Sequence, residues 1–222
     1  MSALRPDVTL YVASVIESPM TSTSLVRVAA GLEWLFSQFS RSENQPLPAV
    51  VSLSLGFPAV SPPDVTPAEY RARLDVLRVL LRTLVDANAL PVVAIGNDGP
   101  GLYRYPAAFR QVIGVGAVDF GGQIARFSAD GTPPREGVTK PDLFGYGVGV
   151  YSSVERDYSG ASIYERMDGT SMATPYVAGV AALYRGQYPA WTVKEVWNKL
   201  TTTARPPSGQ RPGTGGIATF VP

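Results

Sequence analysis

Apolar residues along this chain fall into short continuous runs, separated by longer stretches in which they recur every three or four positions. Residues 10–16 (LYVASVI), 49–55 (AVVSLSL), 91–95 (PVVAI) and 112–118 (VIGVGAV) are the short runs, and each reads as a buried strand. A short fifth strand is expected at 148–151. Leu25, Val28, Ala29, Leu32, Leu35, Phe36 and Phe39 form a 3.6-residue stripe over 24–39, which predicts a helix. Thr66-Pro67-Ala68-Glu69 has the form of a capping box with proline at the first helical position. It opens a second helix, to about Asn88, with Leu74, Leu77, Leu81, Leu84 and Val85 inward. A third helix is predicted from about Thr170 to Tyr188. Its small residues Ala173, Ala178, Gly179, Ala181 and Ala182 suit close packing on a sheet. Thr192-Val193-Lys194-Glu195 is a further capping box, opening a last helix through about Leu200. The Pro/Gly-rich stretch 205–216 reads as a surface loop leading to a small edge strand at 216–221.

Strands alternating with helices, the strands being continuous apolar runs, predict a parallel sheet covered on both faces. The expected fold is therefore α/β, a three-layer, mostly parallel, doubly wound sheet, in one domain over residues 1–222. In such sheets ligands bind at the carboxyl ends of the strands. Ser54-Leu55-Gly56, Gly96-Asn97-Asp98-Gly99 and Asp168-Gly169-Thr170-Ser171 follow strands or open a helix, and should lie together.

Composition narrows the chemistry. The 19 Lys and Arg against 18 Asp and Glu give a formal net charge of +1, without the basic excess of a nucleic-acid or membrane-surface protein. No run reaches the roughly 18–20 apolar residues of a membrane span, and the start, with Arg5, Pro6 and Asp7, does not read as a signal peptide. A soluble chain is expected. Cysteine and histidine are both absent, which removes thiolate chemistry, a histidine base and a histidine-ligated metal from these residues.

The sharpest motif is Gly169-Thr170-Ser171-Met172-Ala173-Thr174-Pro175. A serine in a first helical turn can be a simple cap. The same position suits a nucleophile, because the helix N-terminus favours developing negative charge. The string GTSMATPYVAGVAALY resembles the nucleophile segment of the subtilisin-like serine proteases. VVSLSLG is similar to their substrate strand and VVAIGNDG to their oxyanion segment. YPAAFRQVIGVGAVD, ARFSADG and KPDLFGYGVGVYSS follow in family order, so that the resemblance runs over about 10–221.

That resemblance implies a serine endopeptidase acting on peptide or protein substrates. Ser171 would be the nucleophile and Asn97 the side-chain donor of the oxyanion hole. Ser54, Leu55 and Gly56 would wall one side of the pocket for the first substrate side chain, and Ala94, Ile95 and Gly96 the other. An extended peptide could pair with backbone at 54–56 as an added strand. In isolation Asn97 reads equally well as a turn residue in G-N-D-G.

The family pattern then breaks off. A subtilase carries its catalytic Asp and His upstream of the strand matched by LYVASVI, and only nine residues stand there. The expectation is an N-terminally truncated catalytic domain whose Asp and His come from an N-terminal partner segment, with self-association as the other outcome. The alternative is a non-catalytic pseudoprotease that binds extended peptides. No cofactor is expected; family calcium sites are conceivable, but the upstream loop of the best-known one is absent here. The related sedolisins use Glu and Asp in place of His, but carry Asp rather than Asn at the oxyanion position. Tyr176 stands where family members often have a non-catalytic His. Asp168 reads as a loop residue or dipole partner, Lys140 as a surface charge, and the glycines at 145, 147 and 149 as loop geometry.

Overall fold

A computed structural model describes residues 8–16, 23–41, 48–154, 160–210 and 213–221. Arg5, Pro6, Asp7 and residues 211–212 of the tail loop lie outside it. Four strands form a parallel sheet in the order β1-β2-β3-β4: Ala49–Leu53, Ala89–Ala94, Ile113–Val118 and Leu143–Tyr146. Helix α1 spans Leu25–Phe39, α2 Pro67–Asp86, α3 Thr170–Gln187 and α4 Val193–Thr202. Strands β5 (Val150–Ser153) and β6 (Tyr164–Met167) form a separate antiparallel pair.

Side chains alternate across a strand, and β2 shows what this builds. Ala89 and Val93 join Val28 and Leu32 of α1 and Leu74, Leu77, Leu81 and Leu84 of α2 in one core. Leu90 and Val92 join Val177, Ala181 and Tyr184 of α3 and Val196 and Leu200 of α4 in the other. Two helical layers therefore sandwich the sheet, which is the three-layer α/β arrangement expected.

The helix starts are held as their sequences dictate. Ser24, Thr66 and Thr192 each accept a bond from a first-turn N–H through the side chain. At Thr192 the reciprocal bond, from its own N–H to the Glu195 carboxylate, completes the capping box. Arg185, almost wholly buried, donates to the carbonyls of Asn88 and Trp191, tying α3 to the end of α2 and the start of α4.

Several expectations need correction. Residues 10–16 form no strand. Leu10, Val12 and Ile16 are exposed, while Ala13 and Val15 rest on Gly31 of α1. An apolar run becomes a strand only with a ladder partner, and none of the described residues pairs with it or with the outer edge of β1. Strand β4, of four residues between Pro141 and Gly147, was too short for its period to show. Its Gly145 and the following Gly147 let α3 approach, since a Cβ at Gly147 would lie 2.6 Å from the carbonyl oxygen of Gly169. The fifth strand sits at 150–153 rather than 148–151, and its partner β6 was not anticipated. Residues 216–221 contribute single bridges through Ile217 rather than a strand. Lys140 is no surface charge. It is fully buried, and its ammonium donates to Asp142 at 2.5 Å and to the carbonyl of Val112 at 2.9 Å.

Candidate active site

β1 and β2 end side by side, and their carboxyl ends deliver Ser54 and Gly96-Asn97 to the N-terminus of α3. Gly169, just before the helix, has φ 157° and ψ 156°, a region open in practice only to glycine. A Cβ there would also stand 3.3 Å from the Asn97 amide nitrogen. Glycine thus supplies both the turn into the helix and room for Asn97.

Thr170 orients Asn97. Its backbone N–H and its hydroxyl both donate to Asn97 Oδ1, each at 2.9 Å. Two donors on one atom fix which end of the amide is oxygen. The Asn97 NH₂ group is thereby left outward, on an exposed residue that lines a cavity of about 210 Å³ beside Ser171. The N–H of Ser171 lies in the first turn of α3, where backbone N–H groups have no intrahelical acceptor. A side-chain amide and a backbone N–H at a helix N-terminus are the donor types that an oxyanion requires.

Ser171 is also held by Ser54. Pro175 lies inside α3 and has no N–H to give the carbonyl of Ser171, four residues earlier. The Ser54 hydroxyl supplies the bond instead, at 2.8 Å. The Ser171 hydroxyl returns a longer one to the carbonyl of Ser54, at 3.4 Å. The interior proline and the serine just after β1 are thus two parts of one contact.

Of the six residues expected to wall a pocket, Leu55, Gly56, Ala94 and Gly96 line this cavity; Ser54 does not, its hydroxyl being turned to the carbonyl of Ser171. Nor does Ile95: its side chain is fully buried in the core with α1 and α2, and its N–H and carbonyl are bonded to Val115 and Arg104. Asp168 accepts a bond from the N–H of Gly149 at 2.7 Å, which makes it a loop latch. Tyr176 donates to the carbonyl of Ala218, and burial pushes its phenol above the ordinary value, so it stays protonated at neutral pH. Among the described residues no carboxylate or amine hydrogen-bonds the Ser171 hydroxyl, and no group of three or more acidic residues is placed to hold a metal ion.

Two lining residues escaped the sequence reading. Thr170 had no signal beyond its place in the motif. Arg104 sits in the segment YRYPAAF, which has no helical or strand period. Its guanidinium donates to both carboxylate oxygens of Asp98, at 2.5 and 2.6 Å. Those bonds hold the Asp98 carboxyl below the usual carboxylate range.

A model of the subtilase family matches residues 1–217. The chain belongs to the subtilase family. Among its curated relatives, the subtilisin-like protease PopC of Myxococcus xanthus (strain DK1622) is 54% identical over 219 residues, 98% of this chain and 46% of PopC. Subtilisin Savinase of Lederbergia lenta is 34% identical over 201 residues, 90% of this chain and 62% of Savinase. This subtilase chain thus spans about half the length of the curated relatives it matches. In fold it is similar to the prenylagaramide maturation protease PagA, with TM-score 0.65 and 23% identity over 86% of this chain and 61% of PagA. It is likewise similar to a mutant protease domain of PatA, with TM-score 0.67 and 22% identity over 90% of this chain and 64% of that domain. Among the described residues of this subtilase, no helix is long and apolar enough to cross a membrane.

Proposed function

We propose that this chain is the nucleophile-bearing part of a subtilisin-like serine endopeptidase. The observation that carries the reading is the junction of Ser171, Asn97 and Ser54 at the strand ends, on a chain with subtilase motifs throughout. Ser171 Oγ attacks the carbonyl carbon of a peptide held along residues 54–56. The carbonyl oxygen becomes an oxyanion, met by the Asn97 amide and the Ser171 N–H. Collapse of the tetrahedral species expels the amine and leaves an acyl-enzyme, which water then hydrolyses.

The proton balance names what else is needed. The serine hydroxyl must lose a proton as it attacks, and the departing amine must gain one. These 222 residues contain no histidine, so the Asp and His come from polypeptide outside them. The outer edge of β1, without a strand partner among the described residues, offers that polypeptide a place to add a strand.

Fluorophosphonate labelling tests the reading. The chain alone is expected to label slowly, and the chain mixed with the Asp- and His-bearing portion of a subtilase to label rapidly. Ser171→Ala abolishes that labelling. Rapid labelling of the chain alone overturns the external base. Binding of the portion without any labelling points instead to a peptide-binding pseudoprotease.

A further inference from the structure

The cavity beside Ser171 is lined by one charged side chain, Arg104. Its place is fixed by its neighbours. The Arg104 N–H donates to the carbonyl of Ile95 at 2.9 Å, and the next residue, Tyr105, exchanges backbone bonds with Phe57 at 2.6 and 2.9 Å. This segment is therefore pinned to the chain leaving β1 and to the chain leaving β2. The stem of Arg104 then lies across the two glycines of the pocket walls. A Cβ at Gly56 would come 2.9 Å from Arg104 Cβ and 3.0 Å from Cδ, and one at Gly96 2.9 Å from Cγ. Any larger residue at either position would displace it.

The head of Arg104 is oriented as well. Asp98 takes the Nε hydrogen and one Nη2 hydrogen. The Nη1 hydrogens and the second Nη2 hydrogen have no partner among the described residues. Asp98 does not line the cavity. The ion pair is neutral from a distance, yet the cavity meets only its cationic half. A guanidinium offers donors and no acceptor, so it suits a carboxylate, tolerates an amide oxygen and opposes an ammonium.

Resting on the endopeptidase reading, we propose that Arg104 sets the specificity of this site, selecting an acidic side chain, glutamate before lysine, at the residue whose carbonyl Ser171 attacks. Charge-assisted bonds from a fixed fork are stronger than neutral ones, and partial exposure moderates the gain.

The test is binding of blocked, alanine-rich peptides to the 222-residue chain, with Glu, Gln, Leu or Lys as the single bulky residue. The glutamate peptide is expected to bind about tenfold more tightly than the lysine peptide. Arg104→Met keeps the stem over Gly56 and Gly96 and removes the donors. It should erase the glutamate advantage while leaving the leucine peptide unchanged, which also shows that the pocket is intact. Asp98→Asn, with the guanidinium kept, should preserve or raise that advantage. Equal binding of glutamate and lysine peptides, or an order unchanged in Arg104→Met, overturns the assignment. Restored Ser171-dependent cleavage whose preference ignores Arg104 also overturns it and leaves the endopeptidase reading standing. Failure to restore cleavage, with an Arg104-dependent glutamate preference, supports the pocket assignment and removes the endopeptidase reading.

Discussion

Thr170 gives both its N–H and its hydroxyl to one oxygen of Asn97, the two bonds having equal length at 2.9 Å. The orientation of the Asn97 amide at the cavity is thus set by its neighbour in the same lining. Thr170 is buried, and its hydroxyl also accepts the N–H of Gly96. It thereby joins the end of β2 to the start of α3 through one oxygen atom.

Removing that oxygen should loosen Asn97 without unmaking the fold. In the chain supplied with a catalytic Asp and His, Thr170→Val is expected to lower kcat about tenfold with little change in KM, as loss of one orienting bond implies. Thr170→Ser should restore most of the loss. A kcat unaltered by the valine would show that Asn97 does not need the hydroxyl.

Ser54→Ala removes the hydroxyl that replaces the bond Pro175 cannot make. The expected cost is about 1 kcal/mol, because the site is exposed enough for water to reach the Ser171 carbonyl. Pro175→Ala with Ser54→Ala should recover most of it, by returning a backbone N–H to the helix. A double-mutant cycle in thermal unfolding measures the coupling, and strict additivity would refute it.

Lys140→Ala leaves the half-buried Asp142 carboxylate without its cation, with the N–H of Gly114 among the donors that remain. Loss of one partner of a buried pair should destabilise by about 3 kcal/mol, read as a lower Tm. The rate of Ser171 labelling, corrected for the folded fraction, should not change. A selective fall in labelling would instead make Lys140 a participant.

Asp98 predicts an acid limit. Its carboxyl is held below the ordinary range, first by the bond from Arg104. A depressed carboxylate contributes stability that is present above its unfolded value of about 3.9, and lost as pH falls through the folded value. The Tm difference between wild type and Asp98→Asn should be constant from neutrality to about pH 4 and should close below it. A difference that persists unchanged at lower pH would exclude this linkage.

Sequence pattern and structure agree best where the signal is local. The stripe of α1, the caps at Thr66 and Thr192, and the continuous runs of β1, β2 and β3 each carry their periodicity within one element. Residues 10–16 show the limit: LYVASVI has strand composition, but a ladder is a relation to another segment. Strand β4 had too few residues for a period, and its glycines answer to α3 across the sheet. Lys140 looked like solvent charge because its partner Asp142 and the carbonyl of Val112 are brought to it only by folding. At the site, Ser171, Asn97 and residues 54–56 were legible from motifs. Arg104 and the hydroxyl of Thr170 were not, since their roles depend on where two strands happen to end.

The borrowed bond between Ser54 and the Ser171 carbonyl makes the site a checksum on the sheet. Successive strand residues face opposite sides, so a slip of β1 by one position would bring Leu53 or Leu55 to the place of Ser54. Neither has a hydroxyl to offer. A misregistered sheet would therefore lose the tether of Ser171 as well as its packing, and the proposed site would be disarranged before a peptide arrived.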